Sequence, residues 1–115
     1  MSISNLVFIA TVIMTVANCQ QNGMMCGFCI TIITNTQNAF GASISNTTDL
    51  QFLRYFRKEC RLDALKSLVM AGVCEYIVSN HPFTLFRDLR SGSQPLDTCV
   101  DCGVCFASTP PSAFH

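Results

Sequence analysis

The spacing of the cysteines restricts the fold of this chain more than any other feature of its sequence. Eight cysteines lie at positions 19, 26, 29, 60, 74, 99, 102 and 105 of 115 residues. Three chemistries use cysteines at such spacings: a redox dithiol, a zinc site and a framework of disulfides. Disulfides persist in oxidising compartments and reduced thiolates in reducing ones, so the compartment helps to decide among the three.

The N-terminal segment has the features of a signal peptide. Residues 6–16 form an apolar run of eleven (LVFIATVIMTV), which Ala17, Asn18 and Cys19 follow. This run is too short to span a bilayer and fits the apolar region of a signal peptide, although the preceding MSISN contains no Lys or Arg. Small residues allow cleavage after Ala17 or after Cys19. The alternative is an apolar helix that is kept in the mature fold.

A signal peptide over residues 1–19 directs the chain to the secretory route, so we expect a secreted protein or one in a lysosome-like compartment. The domain then spans residues 20–106, and residues 107–115, with two prolines, form a disordered C-terminal tail. Asn46, in the sequence Asn46-Thr47-Thr48, is a candidate N-glycosylation site on this route.

The segments between the cysteines have the periodicity of short amphipathic helices. Thr48 and Gln51 predict a capping box, Asp63 is a candidate cap for the next helix, and Pro82 ends that helix. Helices are expected over residues 24–42, 50–61, 64–79, 83–89 and 98–106. Their apolar faces are expected to hold Met25, Cys29, Ile32, Ile33 and Phe40, then Leu50, Leu53, Phe56 and Cys60, then Leu65, Leu68, Val69, Val73, Tyr76 and Ile77. The predicted fold class is all-α, with four or five short helices, although the run ITIIT in the first also permits a strand.

A redox dithiol and a zinc site both fit a helical chain on the secretory route poorly. Cys26-Gly27-Phe28-Cys29 has the form of a redox CxxC motif, but no βαβ pattern surrounds it. The pair Cys26 and Cys29, with Cys99, Cys102 and Cys105, has zinc-ligand spacing, but the secretory route disfavours reduced thiolates. A disulfide framework is favoured, with no metal and no cofactor. Six cysteines allow fifteen connectivities, and counting alone does not select one.

The order of six of the cysteines resembles that of the saposin B-type family. After the Cys26–Cys29 pair and a helical segment, Cys60 and Cys74 have thirteen residues between them, and Cys99 and Cys105 have five. Pro95 lies four residues before Cys99, where the family commonly has a proline that opens its last helix. The resemblance covers about residues 23–106.

This resemblance implies a folded-leaf bundle of helices with three disulfides. They would join the first cysteine to the sixth, the second to the fifth and the third to the fourth: Cys26–Cys105, Cys29–Cys99 and Cys60–Cys74. The first two pairs would also bring the first and last helices together antiparallel. Cys19 and Cys102 are extra to the pattern. They would pair with each other if Cys19 is retained; otherwise Cys102 would be unpaired or would link a homodimer.

The charge pattern limits the partners. Seven basic and seven acidic residues give a net charge of zero, which argues against nucleic-acid binding. Five cations lie close together in the sequence, around Glu59 and Asp63, and are candidates for contact with anionic headgroups: Arg54, Arg57, Lys58, Arg61 and Lys66. The alternative for these five is a solvated helix face.

The chain has little that suggests catalysis. It has two histidines and no GxSxG motif. Members of the saposin B-type family bind lipids or perturb membranes, so the resemblance implies a non-enzymatic protein whose partners are lipids or anionic membranes, in an antimicrobial or digestive role. The alternative is a protein-interaction module that activates an enzyme or forms a disulfide-linked structural dimer.

Overall fold

The computed structural model describes residues 23–107, which contain five α-helices and no strand. The helices are α1 (Met24–Phe40), α2 (Asp49–Asp63), α3 (Leu68–Asn80), α4 (Pro82–Ser91) and α5 (Pro95–Asp101), with a 3₁₀ helix (Gly41–Asn46) between α1 and α2. The predicted all-α class is confirmed. The predicted signal peptide, Cys19 and residues 108–115 of the predicted tail lie outside the described residues.

Helix α1 is held by one buried face. Cys26, Cys29, Ile32, Ile33 and Thr36 are buried at spacings of three and four, as expected for a helix with a single apolar stripe. The hydroxyl of Thr36 donates to the carbonyl of Ile32 at 2.8 Å, which satisfies its hydrogen bond inside the core. Met25, which the periodicity assigns to this face, is instead 55% exposed, because Cys26 occupies the inward position.

The predicted capping box opens α2. The amide of Thr48 donates to Oε1 of Gln51 at 2.8 Å, and the amide of Gln51 donates to Oγ1 of Thr48 at 3.2 Å. The buried face of α2 is formed by Phe52, Phe56 and Cys60. Leu50, which the sequence places on this face, is 55% exposed.

Helix α3 begins later than the periodicity predicts. Asp63 does not cap it but remains the last residue of α2, and residues 64–66 form a turn. The cap is Ser67, whose Oγ accepts a hydrogen bond from the amide of Met70 at 3.3 Å. As a result, Leu65 lies outside the helix and Leu68 lies at its first position, away from the core.

Prolines and glycines set the ends of the last two helices. Pro82 and Pro95 occupy first helical positions, where the missing N–H costs nothing. Gly92 ends α4 in a left-handed conformation with φ of 74°. Gly103 has φ of 78°, and α5 stops at Asp101 instead of continuing to Phe106 as the sequence predicts.

An aromatic cluster joins α2 to its neighbours. The ring of Phe52 lies 5.2 Å from that of Phe40 at the end of α1 and 5.2 Å from that of Phe86 on α4. Arg90 covers the same ring at 5.7 Å and donates to Oδ1 of Asp49 at 2.7 Å. These contacts hold the start of α2 against α1 and α4, while its second half packs on α3.

Three disulfides cross-link the bundle: Cys26–Cys105, Cys29–Cys99 and Cys60–Cys74. They are the three pairs that the resemblance implies. Two join α1 to α5 and the segment after it, and the third joins α2 to α3. Cys26 and Cys29 therefore bond to different partners and not to each other, and neither has a free thiolate for zinc. Cross-links of this kind indicate an oxidising compartment. No helix within residues 23–107 is long and apolar enough to cross a membrane.

The Cys60–Cys74 disulfide is expected to stabilise the α2–α3 hairpin. It closes a loop with a sequence separation of 14. Loops of this length contribute about 3 kcal/mol in the chain-entropy description. We expect Cys60→Ala/Cys74→Ala to lower the free energy of unfolding by about that amount, measured by urea denaturation with circular dichroism. Cys102→Ala is the control, because it removes a buried sulfur that belongs to no disulfide within residues 23–107. An equal loss of stability in both variants would contradict the prediction.

Candidate functional site

The basic residues of α2 form a stripe along one exposed face. Four basic side chains are spaced by three and four residues along α2: Arg54, Arg57, Lys58 and Arg61. At 3.6 residues per turn, they occupy about a quarter of the helix circumference. Phe52, Phe56 and Cys60 occupy the opposite face, in the core. We call the four side chains, together with the exposed Lys66 in the following turn, the cationic stripe.

The carboxylates near these cations in the sequence form no ion pair with the stripe within residues 23–107, and Asp63 interacts with Lys66 only at longer range. Glu59 and Asp63 line a small pocket against Ile32 and Thr36 of α1, around the helix from the stripe. The two ion pairs within residues 23–107 are Arg87–Asp88 at 3.2 Å and Arg90–Asp49 at 2.7 Å. All five cations of the stripe are exposed and none belongs to either pair. Four of the five candidates that the sequence singled out thus share one exposed face of α2, and the fifth, Lys66, lies exposed in the turn that follows.

Beside the stripe, the turn between α2 and α3 exposes three leucines. Leu65 is 83% exposed, Leu68 81% and Leu62 41%. In the sequence, Arg61 directly precedes Leu62, and Lys66 directly follows Leu65. We call Leu62, Leu65 and Leu68 the leucine tip. The periodicity assigns Leu65 and Leu68 to a buried stripe; the signal that corrects it is Ser67, a strong N-cap residue placed just before Leu68.

An apolar groove of about 590 Å³ lies between α1, α3 and the segment after α5. Its side chains come mainly from Met25, Val69, Val73, Tyr76, Val104 and Phe106, and Gly72 and Gly103 also line it. The groove is a product of the cross-links: Met25 precedes Cys26, Val73 precedes Cys74, and Val104 and Phe106 flank Cys105. The sequence analysis did not identify it, since these residues meet only in the folded chain.

Cys102 is buried and belongs to no disulfide among the described residues. It is 1% exposed, and burial together with the negative charges of Asp88 and Asp101 raises its pKa to about 12. The thiol is buried in this structure, and the homodimer through Cys102 stays a prediction. Cys19, its predicted intramolecular partner, lies outside the described residues.

Asp88 is a buried carboxyl beside this thiol. It is 4% exposed, and its Oδ2 and the Oγ1 of the buried Thr98 have no hydrogen-bond partner within residues 23–107. Burial raises the pKa of Asp88, the neighbouring Asp101 raises it further, and Arg87 opposes the shift. Burial likewise raises the pKa of Asp63.

Asn46 ends the 3₁₀ helix, with its side chain exposed. The position leaves room for a glycan at the predicted acceptor. Thr48, the third residue of the glycosylation motif, is the N-cap residue of α2.

The chain matches no protein-family model, no curated protein and no solved structure. The relation to the saposin B-type family therefore stays a prediction from the cysteine pattern. The function has to be inferred from the cationic stripe, the leucine tip and the groove themselves.

We expect native Cys102 to resist alkylation. At neutral pH a thiol with a pKa near 12 has almost no thiolate, and its burial blocks the reagent. Iodoacetamide should label the Cys102 peptide only after unfolding in urea, as measured by peptide mass mapping. Rapid labelling of the native protein at Cys102, or recovery of a Cys102–Cys102 peptide, would contradict the burial.

Stability is expected to rise as the pH falls from neutral. A carboxyl whose pKa is raised by folding stabilises the fold fully below its unfolded pKa and loses that contribution as the pH rises through the folded value. The free energy of unfolding should therefore be greater near pH 4 than at pH 7. Asp88→Asn should flatten this dependence, whereas Asp97→Asn, at an exposed site on α5, should leave it unchanged. Parallel pH profiles for wild type and Asp88→Asn would refute the role of Asp88.

Proposed function

We propose that this protein is a secreted, saposin-like protein that binds anionic membranes without catalysis, through the leucine tip and the cationic stripe. The observation that carries the proposal is the exposure of Leu65 and Leu68, at 83% and 81%, beside five cations that form no ion pair within residues 23–107. A defensive or digestive role against membranes fits this activity.

The proposed role of the leucine tip rests on the free-energy cost of exposing leucine side chains to water. Burying a leucine side chain from water contributes about 1.5–3 kcal/mol, and grouped exposed apolar residues in soluble domains mark contact surfaces. Side chains at the turn of a hairpin can enter the headgroup region without disturbing the core behind them. Cys60 and Cys74 cross-link the hairpin just behind the turn and keep the tip rigid.

The electrostatic part of the proposal rests on the cationic stripe, whose five exposed side chains form no ion pair among the described residues. Basic side chains near an anionic bilayer contribute about 1 kcal/mol each. Arg61 and Lys66 adjoin the leucines directly, and the rest of the stripe extends along α2. This combination of apolar and basic side chains is the one that interfacial membrane segments use.

Secretion is supported by sequence and structure together. The first nineteen residues have signal-peptide features, and the cross-linked bundle suits an oxidising compartment. The cysteine order adds the resemblance to a family whose members act on lipids.

Vesicle binding tests the proposal. The probes are vesicles of phosphatidylcholine alone and of phosphatidylcholine mixed with phosphatidylglycerol, with binding measured by co-sedimentation. We expect the protein to bind the anionic vesicles. Leu65→Asn/Leu68→Asn should lower the affinity for these vesicles about tenfold or more, because the variant no longer buries two leucine side chains in the membrane. Arg57→Glu/Lys58→Glu should weaken binding to anionic vesicles and reduce the loss of binding that salt causes, because less electrostatic attraction is left to screen.

Phe83→Asn is the matched control. Phe83 is 82% exposed, like the two leucines, but lies at the start of α4, beyond the other end of α3 from the tip. We expect it to bind as the wild type does. Equal effects of the tip and control variants would reject the tip as the contact. Inert vesicles together with a stable dimer in solution would favour the alternative, a protein-interaction module.

A further inference from the structure

The apolar groove has a size and lining suited to one small ligand. Its volume of about 590 Å³ falls within the range of about 300–1,000 Å³ that is usual for small-molecule sites. No charged side chain is among the described residues that line it. Glu75, the carboxylate next to Tyr76 on α3, lines a different pocket with Arg57.

One edge of the groove is polar. The hydroxyl of Tyr76 lies 3.4 Å from Nε2 of His81. A Cβ built on Gly103, in the groove lining, would lie 3.7 Å from the Tyr76 hydroxyl and 3.8 Å from His81 Nε2. Both polar atoms therefore stand at the Gly103 edge, where they adjoin an otherwise apolar surface. When Nε2 of His81 donates to the Tyr76 oxygen, the hydroxyl proton of Tyr76 is free to donate to a ligand.

We propose that the groove binds one long-chain fatty acid. The hydrocarbon chain lies on the apolar surface from Met25 to Val73, and the carboxylate accepts a hydrogen bond from the Tyr76 hydroxyl, which His81 orients. A carboxylate is favoured over a neutral head because hydrogen bonds to an ionised acceptor are about twice as strong as neutral ones, and because no acid in the lining repels it. A single chain is favoured over two because the groove has the volume of one small ligand.

This site does not depend on membrane docking. The groove lining includes none of Leu62, Leu65 and Leu68, so the two surfaces are separable by mutation. A protein that fails to bind vesicles can still bind fatty acid, and the reverse also holds.

Two glycines provide a matched test of the groove. Gly72 lines it on α3, and Gly27 lies on α1 away from it; both are exposed, and a Cβ at either would meet no atom within 4 Å. Leucine at either site should therefore be accommodated, and each variant should gain helix propensity. Oleate, kept below the concentration at which it self-associates, is titrated into the full chain by calorimetry.

We expect oleate to bind with a stoichiometry of one, Gly72→Leu to weaken binding at least tenfold, and Gly27→Leu to leave it unchanged. Gly72→Leu should still bind anionic vesicles as the wild type does. Equal affinity of the two leucine variants for oleate, with correct folding shown by circular dichroism, would overturn the groove as the site. A concentration-dependent dimer that Gly72→Leu abolishes would overturn fatty acid as its occupant.

The polar edge has its own test. Tyr76→Phe should weaken oleate binding about tenfold, the effect of losing a hydrogen bond to a charged group, and should weaken the binding of oleyl alcohol less, because its hydrogen bond is a neutral one. Wild-type protein should bind oleate more tightly than oleyl alcohol. Equal affinities for the acid and the alcohol would overturn carboxylate recognition, and preferential extraction of phosphatidylglycerol over oleate would overturn the single-chain ligand.

Discussion

The two disulfides between α1 and the C-terminal segment are the constraint on which the rest of this structure depends. They join residues 70 and 79 positions apart, which no local preference would bring together. Short helices such as these are marginal in water on their own, so their packing has to be imposed by burial and by cross-links. With α1 and α5 bound together, α3 packs on α1, and α2 packs on α3. The segment around Cys105 is then held beside Met25, and the apolar groove results.

A second consequence is the position of the charges. The chain has no net charge, yet five of its seven cations lie on or just after α2. They form no ion pair within the part of the chain that the structure describes, and the helix turns Glu59 and Asp63 towards α1 while the stripe faces solvent. Exposed carboxylates such as Asp97 and Asp101 lie instead on α5. An overall neutral protein therefore presents a cationic surface next to the leucine tip, which composition alone conceals.

Local features were predictable where a few neighbouring residues decide the outcome. The Thr48–Gln51 capping box depends on side chains three positions apart, and Pro82 restricts its own backbone, so both acted as the sequence indicates. Predictions failed where a residue's surroundings come from distant parts of the chain. Met25, Leu50, Leu65 and Leu68 have the spacing of core residues but are exposed. The burial of Cys102 likewise depends on distant parts of the chain, and the sequence left open whether this cysteine pairs with Cys19, stays unpaired or links a homodimer.

The sequence by itself determined that the chain is helical, that six of its cysteines suit a framework of disulfides, and that its cations are concentrated in one segment. These are properties of spacing and composition, and they hold before the chain folds. Only the tertiary structure decided which apolar residues face water, since burial depends on what packs against them. It placed the leucine tip beside the cationic stripe, formed the groove from three separate segments, and buried Asp88 with Cys102, because each of these depends on contacts between residues far apart in the chain.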